Sequence, residues 1–181
     1  MRFGLKISER RFVSLTLKNM QPGLETLTEK KLIGRRLNMS YSENKTVELW
    51  RALMPRRREV KNNVGAELYS VEVYEPDFFD DFAPHRKFEK WAAIEVTDFE
   101  TVPADMETLT IPEGLYSVFL HKGTAAEGIK TYQYIFEVWL PESDFLVDDR
   151  AHFAVMGEKY KQDDPASEEE IWIPVKPKSG K

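Results

Sequence analysis

Cysteine is absent from the 181 residues. That excludes disulfide staples, thiolate nucleophiles and Cys-ligated zinc or iron–sulfur sites. An excess of positive charge is lacking too: 26 Lys and Arg stand against 31 Asp and Glu, a net charge of -5. No direct grip on nucleic acid is expected, because affinity for phosphate backbones rests on dense positive charge. No window approaches the roughly 20 apolar residues needed to span a bilayer. Met1 to Leu15 is broken by charges every few positions and makes no secretory signal. By elimination the chain is expected in the cytoplasm. The three histidines, His85, His121 and His152, form no His-x-His or His-x-x-x-His pair. No transition-metal site is expected from them. No Gly-x-Ser-x-Gly elbow occurs, and the acidic runs Asp77 to Asp81, Asp148-Asp149 and Glu168 to Glu170 lack calcium-loop spacing. No cofactor is implied.

What remains is 41% hydrophobic residues, of which the aromatics are 12% of the chain. This is enough for one core, or for two small halves that share one. Residues 1–23 form an extension in which Phe12 to Leu17 alternates like a strand, before Gln21-Pro22-Gly23 breaks the chain. Lys31 to Ser40 reads as a strand with Ile33, Arg35, Leu37 and Met39 toward the core. Ser42 to Met54 reads as a helix. Val47, Trp50 and Met54 form its stripe with Leu49 and Leu53 beside them, Ser42 or Asn44 caps it, and Pro55 ends it. Leu68 to Tyr74 and Phe88 to Val96 read as strands on either side of an acidic, aromatic loop. The order then recurs. A strand over Gly114–His121 precedes a capping box at Thr124 and Glu127. A helix follows with Ile129, Tyr132, Phe136, Trp139 and Leu140 in phase, stopped by Pro141. Two strands close the half, His152 to Met156 and Glu170 to Val175, and Pro174 suggests an edge or a bulge in the last. Thr108 to Ile111 is a further candidate strand.

The expected fold is therefore α+β. Duplicated βαββ units lie over residues 24–97 and 106–177, related by a pseudo-two-fold. They form one antiparallel sheet with two main helices on one face and a ligand cleft at the seam. Residues 24–177 make the domain and 178–181 a frayed tail.

Aromatic rings dominate the candidate chemistry. Trp50, Tyr69, Trp91, Tyr116, Trp139, Phe153 and Trp172 are distributed over both halves. They read either as a stacking cage for a planar or cationic ligand or as plain core. Core packing is the stronger reading for the helical Trp50 and Trp139. For the strand residues both stand, because strand side chains alternate between faces. Glu95 lies among Ala92, Ala93, Ile94 and Val96; it faces solvent, or it faces inward as a counter-charge or base. Gly123 to Thr131 nearly spells a phosphate loop. Ile129 separates Gly128 from Lys130, however, and the backbone cradle is lost. Arg56-Arg57-Arg58 with Lys61 reads as a solvated cluster at a helix C-terminus.

Leu49-Trp50, Met54-Pro55-Arg56, Phe88 to Val96, Gly114 to Phe119, Trp139-Leu-Pro-Glu-Ser143 and Glu170-Ile-Trp-Ile-Pro-Val175 together resemble the GyrI-like small-molecule-binding superfamily. That superfamily includes effector-binding domains of multidrug-sensing and AraC-type bacterial transcription regulators. It also includes stand-alone gyrase inhibitor-like proteins and hydrolases of cyclopropanoid toxins. The resemblance implies a duplicated, SHS2-like fold with an aromatic cleft for small apolar or cationic compounds. It also implies a buried glutamate in a Phe-Glu-x-Tyr-like stretch, where this chain has Ala154 after Phe153. Glu72, Glu95 and Glu158 are the carboxylates available in its place. With a 23-residue extension and no helix-turn-helix pattern, the chain is expected to be a stand-alone binding protein for a small organic, effector-like molecule. Trp50, Tyr69, Trp91, Glu95, Tyr116, Trp139, Phe153, Ala154 and Trp172 are its candidate ligand contacts. A hydrolase with Glu95 as base and Tyr116 placing water is the first alternative. A module that binds a protein partner through its acidic loops is the second.

Overall fold

The computed structural model describes residues 21–178. The strand expected at Phe12 to Leu17 lies outside them, as do the last three residues. In chain order the elements are β1 (Gly23–Leu27), β2 (Lys30–Met39), α1 (Thr46–Leu53) and a 3-10 turn (Met54–Glu59). Then come β3 (Leu68–Val73), β4 (Phe88–Val96), β5 (Glu107–Ile111) and β6 (Gly114–Lys122). A 3-10 turn (Ala125–Glu127) opens α2 (Gly128–Tyr134), which runs through a π turn (Ile135–Trp139) into α3 (Leu140–Glu142). β7 (Phe145–Val147), β8 (His152–Met156) and β9 (Glu168–Pro177) complete the described chain.

The strand–helix–strand–strand unit thus occurs twice, as β2-α1-β3-β4 and β6-α2-β8-β9. The sheet runs β1-β6-β9-β8-β3-β4-β2-β5, with β7 added against β9, and every pairing is antiparallel. The equivalent strands β3 and β8 pair at its centre. The strand that precedes each repeat is exchanged: β1 borders β6 of the second repeat and β5 borders β2 of the first. Gly23 therefore opens a strand where a chain break was expected.

The symmetry holds residue by residue. Val71 lies opposite Phe153; Trp91 is the β4 neighbour of Val71, and Trp172 the β9 neighbour of Phe153. Each indole N–H donates to the glutamate two residues before it, Trp91 to Glu89 at 3.2 Å and Trp172 to Glu170 at 3.0 Å. The axis passes between Val71 and Phe153, so the next position relates Glu72 to Ala154.

Alternation along the strands divides the core in two. On the helix face, Leu49 and Leu53 of α1 pack on Ile33, Met39, Phe88, Ala92 and Ile94. Ile135 and Phe136 of the π turn pack on Phe119, Ile171 and Ile173 on the same face. On the other face Leu32, Tyr69, Val71, Trp91, Ala93, Tyr116 and Phe153 form a third cluster across both repeats. Gly34 is what lets β2 and β4 close up between them, since a Cβ there would stand 2.1 Å from the Ala92 carbonyl oxygen.

Local details differ from expectation at both helices. Helix α1 begins at Thr46, with the Asn44 side-chain oxygen accepting the Thr46 N–H at 2.9 Å. Val47 and Met54 are exposed, and Leu49 and Leu53 carry the burial, because eight residues present only a short i, i+4 pair to the sheet. The α-helix does end just before Pro55, though helical turns continue in 3-10 form, while Pro141 lies within its helical stretch. Pro55 and Pro141 occupy the first positions of a new helical turn, where a missing N–H costs no bond. The Thr124–Glu127 capping box forms as expected. Pro174 lies in an interior strand, two residues beyond Trp172, where the β8 ladder has ended.

Candidate functional site

The rings singled out in the sequence separate into two sets. Tyr69, Trp91, Tyr116, Phe153 and Trp172 share the face away from the helices. Phe153 is their hub, 5.3 Å from Trp172 in a stacked pair, 5.4 Å from Tyr116 and 6.1 Å from Tyr69. Trp50 and Trp139 lie on the helix face instead. Trp50 packs on the α1 cluster, and Trp139 meets Phe119 edge-on at 5.1 Å. Ala154 alternates with Phe153 and faces the helices. A single cage of all seven rings is therefore not formed, because a sheet stands between the two sets.

Glu95 faces inward on the ring-bearing side. The Tyr69 hydroxyl donates to it at 2.5 Å and the Lys30 ammonium at 2.8 Å. Burial first, and then the bond to Glu95, push the Tyr69 hydroxyl above its ordinary range. Tyr116 has a different partner: it donates to the Ala151 carbonyl at 3.1 Å, under the Arg150 guanidinium 4.7 Å from its ring. Burial pushes its hydroxyl up to about 12 despite that cation. Glu95 and Tyr116 thus hydrogen-bond to separate partners. Glu158 sits exposed after β8.

On the helix face the seam between the repeats holds a different constellation. Glu72 projects from β3 toward the helices, largely buried, and its Oε1 accepts from the Lys90 ammonium. Its Oε2 is buried with no hydrogen-bond partner among the described residues. Lys90 is its cross-strand neighbour on β4, and His152 its cross-strand neighbour on β8. Tyr41 and Tyr74 join hydroxyls at 2.6 Å beside it. Burial raises the Tyr74 and Tyr132 hydroxyls, and the Glu72 charge raises both further, so α2 as well as β3 feels this carboxylate. Phe79, from the acidic loop, is inserted across the seam; it stacks on Phe136 of the π turn at 5.5 Å and on His152 at 5.3 Å. Burial pulls the His152 imidazole down to about 3, so it is neutral at pH 7.

A cleft of about 480 Å³ opens beside this plug. The first repeat lines it with Tyr74, Phe79 and Asp80, and the second with Arg150, His152 and Lys176. An inter-repeat cleft was expected, but not this lining: none of the nine candidate ligand residues borders it. In the sequence Glu72 is only one of three available carboxylates, because it shares the more polar parity of its strand with Ser70 and nothing local shows that parity to be buried. Phe79 was hidden because its loop is rich in aspartate. The only sequence signal was the absent glutamate at Ala154, which prompts a search for another carboxylate.

A second depression of about 470 Å³ lies on the surface by Arg57, Arg58 and Lys61. Arg56 is turned from it toward Glu59 and Asp105. Among the described residues no helix is long and apolar enough to cross a membrane.

Residues 20–176 match the family model of the GyrI-like small molecule binding domain. The transcriptional regulator BrlR of Pseudomonas aeruginosa is 26% identical over 130 residues, 71% of this chain and 45% of that protein. The chain thus spans less than half the length of that curated relative. The structure of SAV2435 bound to tetraphenylphosphonium superposes with a TM-score of 0.64 at 18% identity, over 87% of this chain and 94% of that one. EcmrR, seen in a DNA complex by cryo-electron microscopy, gives 0.65 at 18% identity, over 93% of this chain and 63% of that one. At such identities the two structures speak to the fold, while the family model covers nearly the whole chain. The antiparallel sheet with its helices is the fold of these neighbours, and the chain belongs to the GyrI-like small molecule binding domains.

Proposed function

We propose that this chain captures a small aromatic, drug-like molecule in the seam between its repeats, on the helix face, and that the molecule acts as an effector. The observation that carries this reading is the buried Glu72 oxygen that has no partner among the described residues, on a side chain whose cross-strand neighbour His152 lines the inter-repeat cleft. An orphaned buried acceptor costs about 1–3 kcal/mol, which a donor on a guest molecule would recover. Tyr74, Phe136 and His152 supply ring faces at the seam, and Phe79, packed against all three, occupies the space a ligand ring would take. Apolar burial at about 25 cal/mol per Å² would supply most of the affinity. Relatives support the effector role: SAV2435 is seen with an aromatic cation, and BrlR is a transcriptional regulator. Capture is favoured over hydrolysis because Glu95 and Tyr116 are committed to separate partners.

The test is calorimetric titration with two probes that share three phenyl rings, triphenylmethanol and methyltriphenylphosphonium. Saturable binding of at least one is expected, and Phe79→Ala should tighten it by removing the plug. No binding of either probe to either protein would overturn the seam as a ligand site.

A further inference from the structure

The seam carries a buried carboxylate, yet that carboxylate is already met by an ammonium. Glu72 and Lys90 are directly opposed across the β3–β4 ladder, so the register itself puts the ammonium on the carboxylate. Both side chains are largely buried: 13% of Glu72 and 9% of Lys90 is exposed. Of the groups that face this pair from the other elements, most are uncharged hydroxyls or a neutral imidazole, and Glu169 is a second carboxylate. Tyr41 and Tyr74 are hydroxyls bonded to each other, and Tyr132 of α2 is a third. The imidazole of His152 carries no charge at neutral pH. Glu169 of β9 is held toward its protonated form, first by burial. The related position on β8, where a second carboxylate would stand, is Ala154.

Building on the seam reading above, we infer that Lys90 sets the ligand's charge class: the site selects uncharged aromatic molecules bearing a hydrogen-bond donor and discriminates against organic cations. A guest cation placed at the free Oε2 would sit within a few ångströms of a buried ammonium, and like charges at that range in a poorly solvated site repel strongly. A neutral O–H or N–H donor meets the same oxygen without that repulsion and satisfies the acceptor that Lys90 leaves open. Lys90 is thus a specificity-determining residue, an internal counter-ion occupying the place of a cationic ligand.

The same two probes decide it. The wild-type chain is expected to bind triphenylmethanol at least tenfold more tightly than methyltriphenylphosphonium. Lys90→Met should reverse that order by freeing the Glu72 charge. The double variant Glu72→Gln with Lys90→Met, which leaves no buried charge, should favour the alcohol again; it serves if the single variant does not fold. Preference of the wild-type chain for the phosphonium would overturn the inference, as would an unchanged order in Lys90→Met. Absence of binding by every variant, Phe79→Ala included, would refute the underlying seam reading.

Discussion

The Glu72–Lys90 pair makes the sharpest prediction about stability. Lys90→Met removes the ammonium and keeps an apolar stem of similar length. Among the described residues Glu72 then has a buried carboxylate with neither oxygen partnered, because its Oε2 is already orphaned and Oε1 loses the Lys90 donor. Breaking a buried ion pair from one side costs about 3–5 kcal/mol. Each kcal/mol shifts the melting temperature of a chain of this size by about 2–4 °C, so a fall of roughly 6–20 °C is expected. Adding Glu72→Gln to Lys90→Met removes the stranded charge, and the double variant should recover most of that loss. Urea titrations of the wild type, both single variants and the double variant form the cycle, with an unchanged m-value as the sign that one transition is being compared. If Lys90→Met lost less than about 1 kcal/mol, the pair would be behaving as an exposed ion pair, and the account of a desolvated seam would be wrong.

Other consequences can be measured alongside. His152 has its imidazole pKa depressed to about 3 by burial, so below about pH 6.5 the unfolded chain binds a proton that the folded chain refuses. Its contribution to stability should therefore fall by up to about 1.4 kcal/mol per pH unit between pH 6.5 and 3, and His152→Gln should flatten the curve by that amount in pH-dependent urea titrations. Tyr69→Phe strips Glu95 of one charge-assisted bond and leaves it to Lys30; at 19% exposure of the Glu95 side chain a loss of about 1–2 kcal/mol is expected by chemical denaturation. Gly34→Ala forces β2 from β4 at the Ala92 carbonyl and should cost more than about 2 kcal/mol, read as loss of amide-exchange protection along that ladder. Phe79→Ala should lower the melting temperature while tightening the probes, since the same ring packs the empty seam and blocks it.

Much of the architecture was legible because its signals are local. Period-two runs marked Leu68 to Tyr74 and Phe88 to Val96, and a proline and a capping box punctuated two equivalent helical stretches. The order of elements then repeated, and the Trp91 and Trp172 correspondence survives in three dimensions down to their glutamate acceptors. β1 and β7 escaped because one follows Pro22 directly and the other has three residues, too few to show a period. The candidate site fared differently. Five rings, Phe153 among them, do share one face, but it is the sheet face opposite Ala154, and the cleft lies among residues that read as a surface loop.

Residue types and spacing alone determined that two βαββ copies would share one antiparallel sheet, since hydrogen-bonding pattern and hydrophobic period are properties of neighbours along a chain. Only the tertiary structure decided which carboxylate is buried and what neutralises it. Glu72, Lys90, Ala154 and His152 meet because two distant ladders fix their register, and the charge of a site is a sum over groups brought together in space.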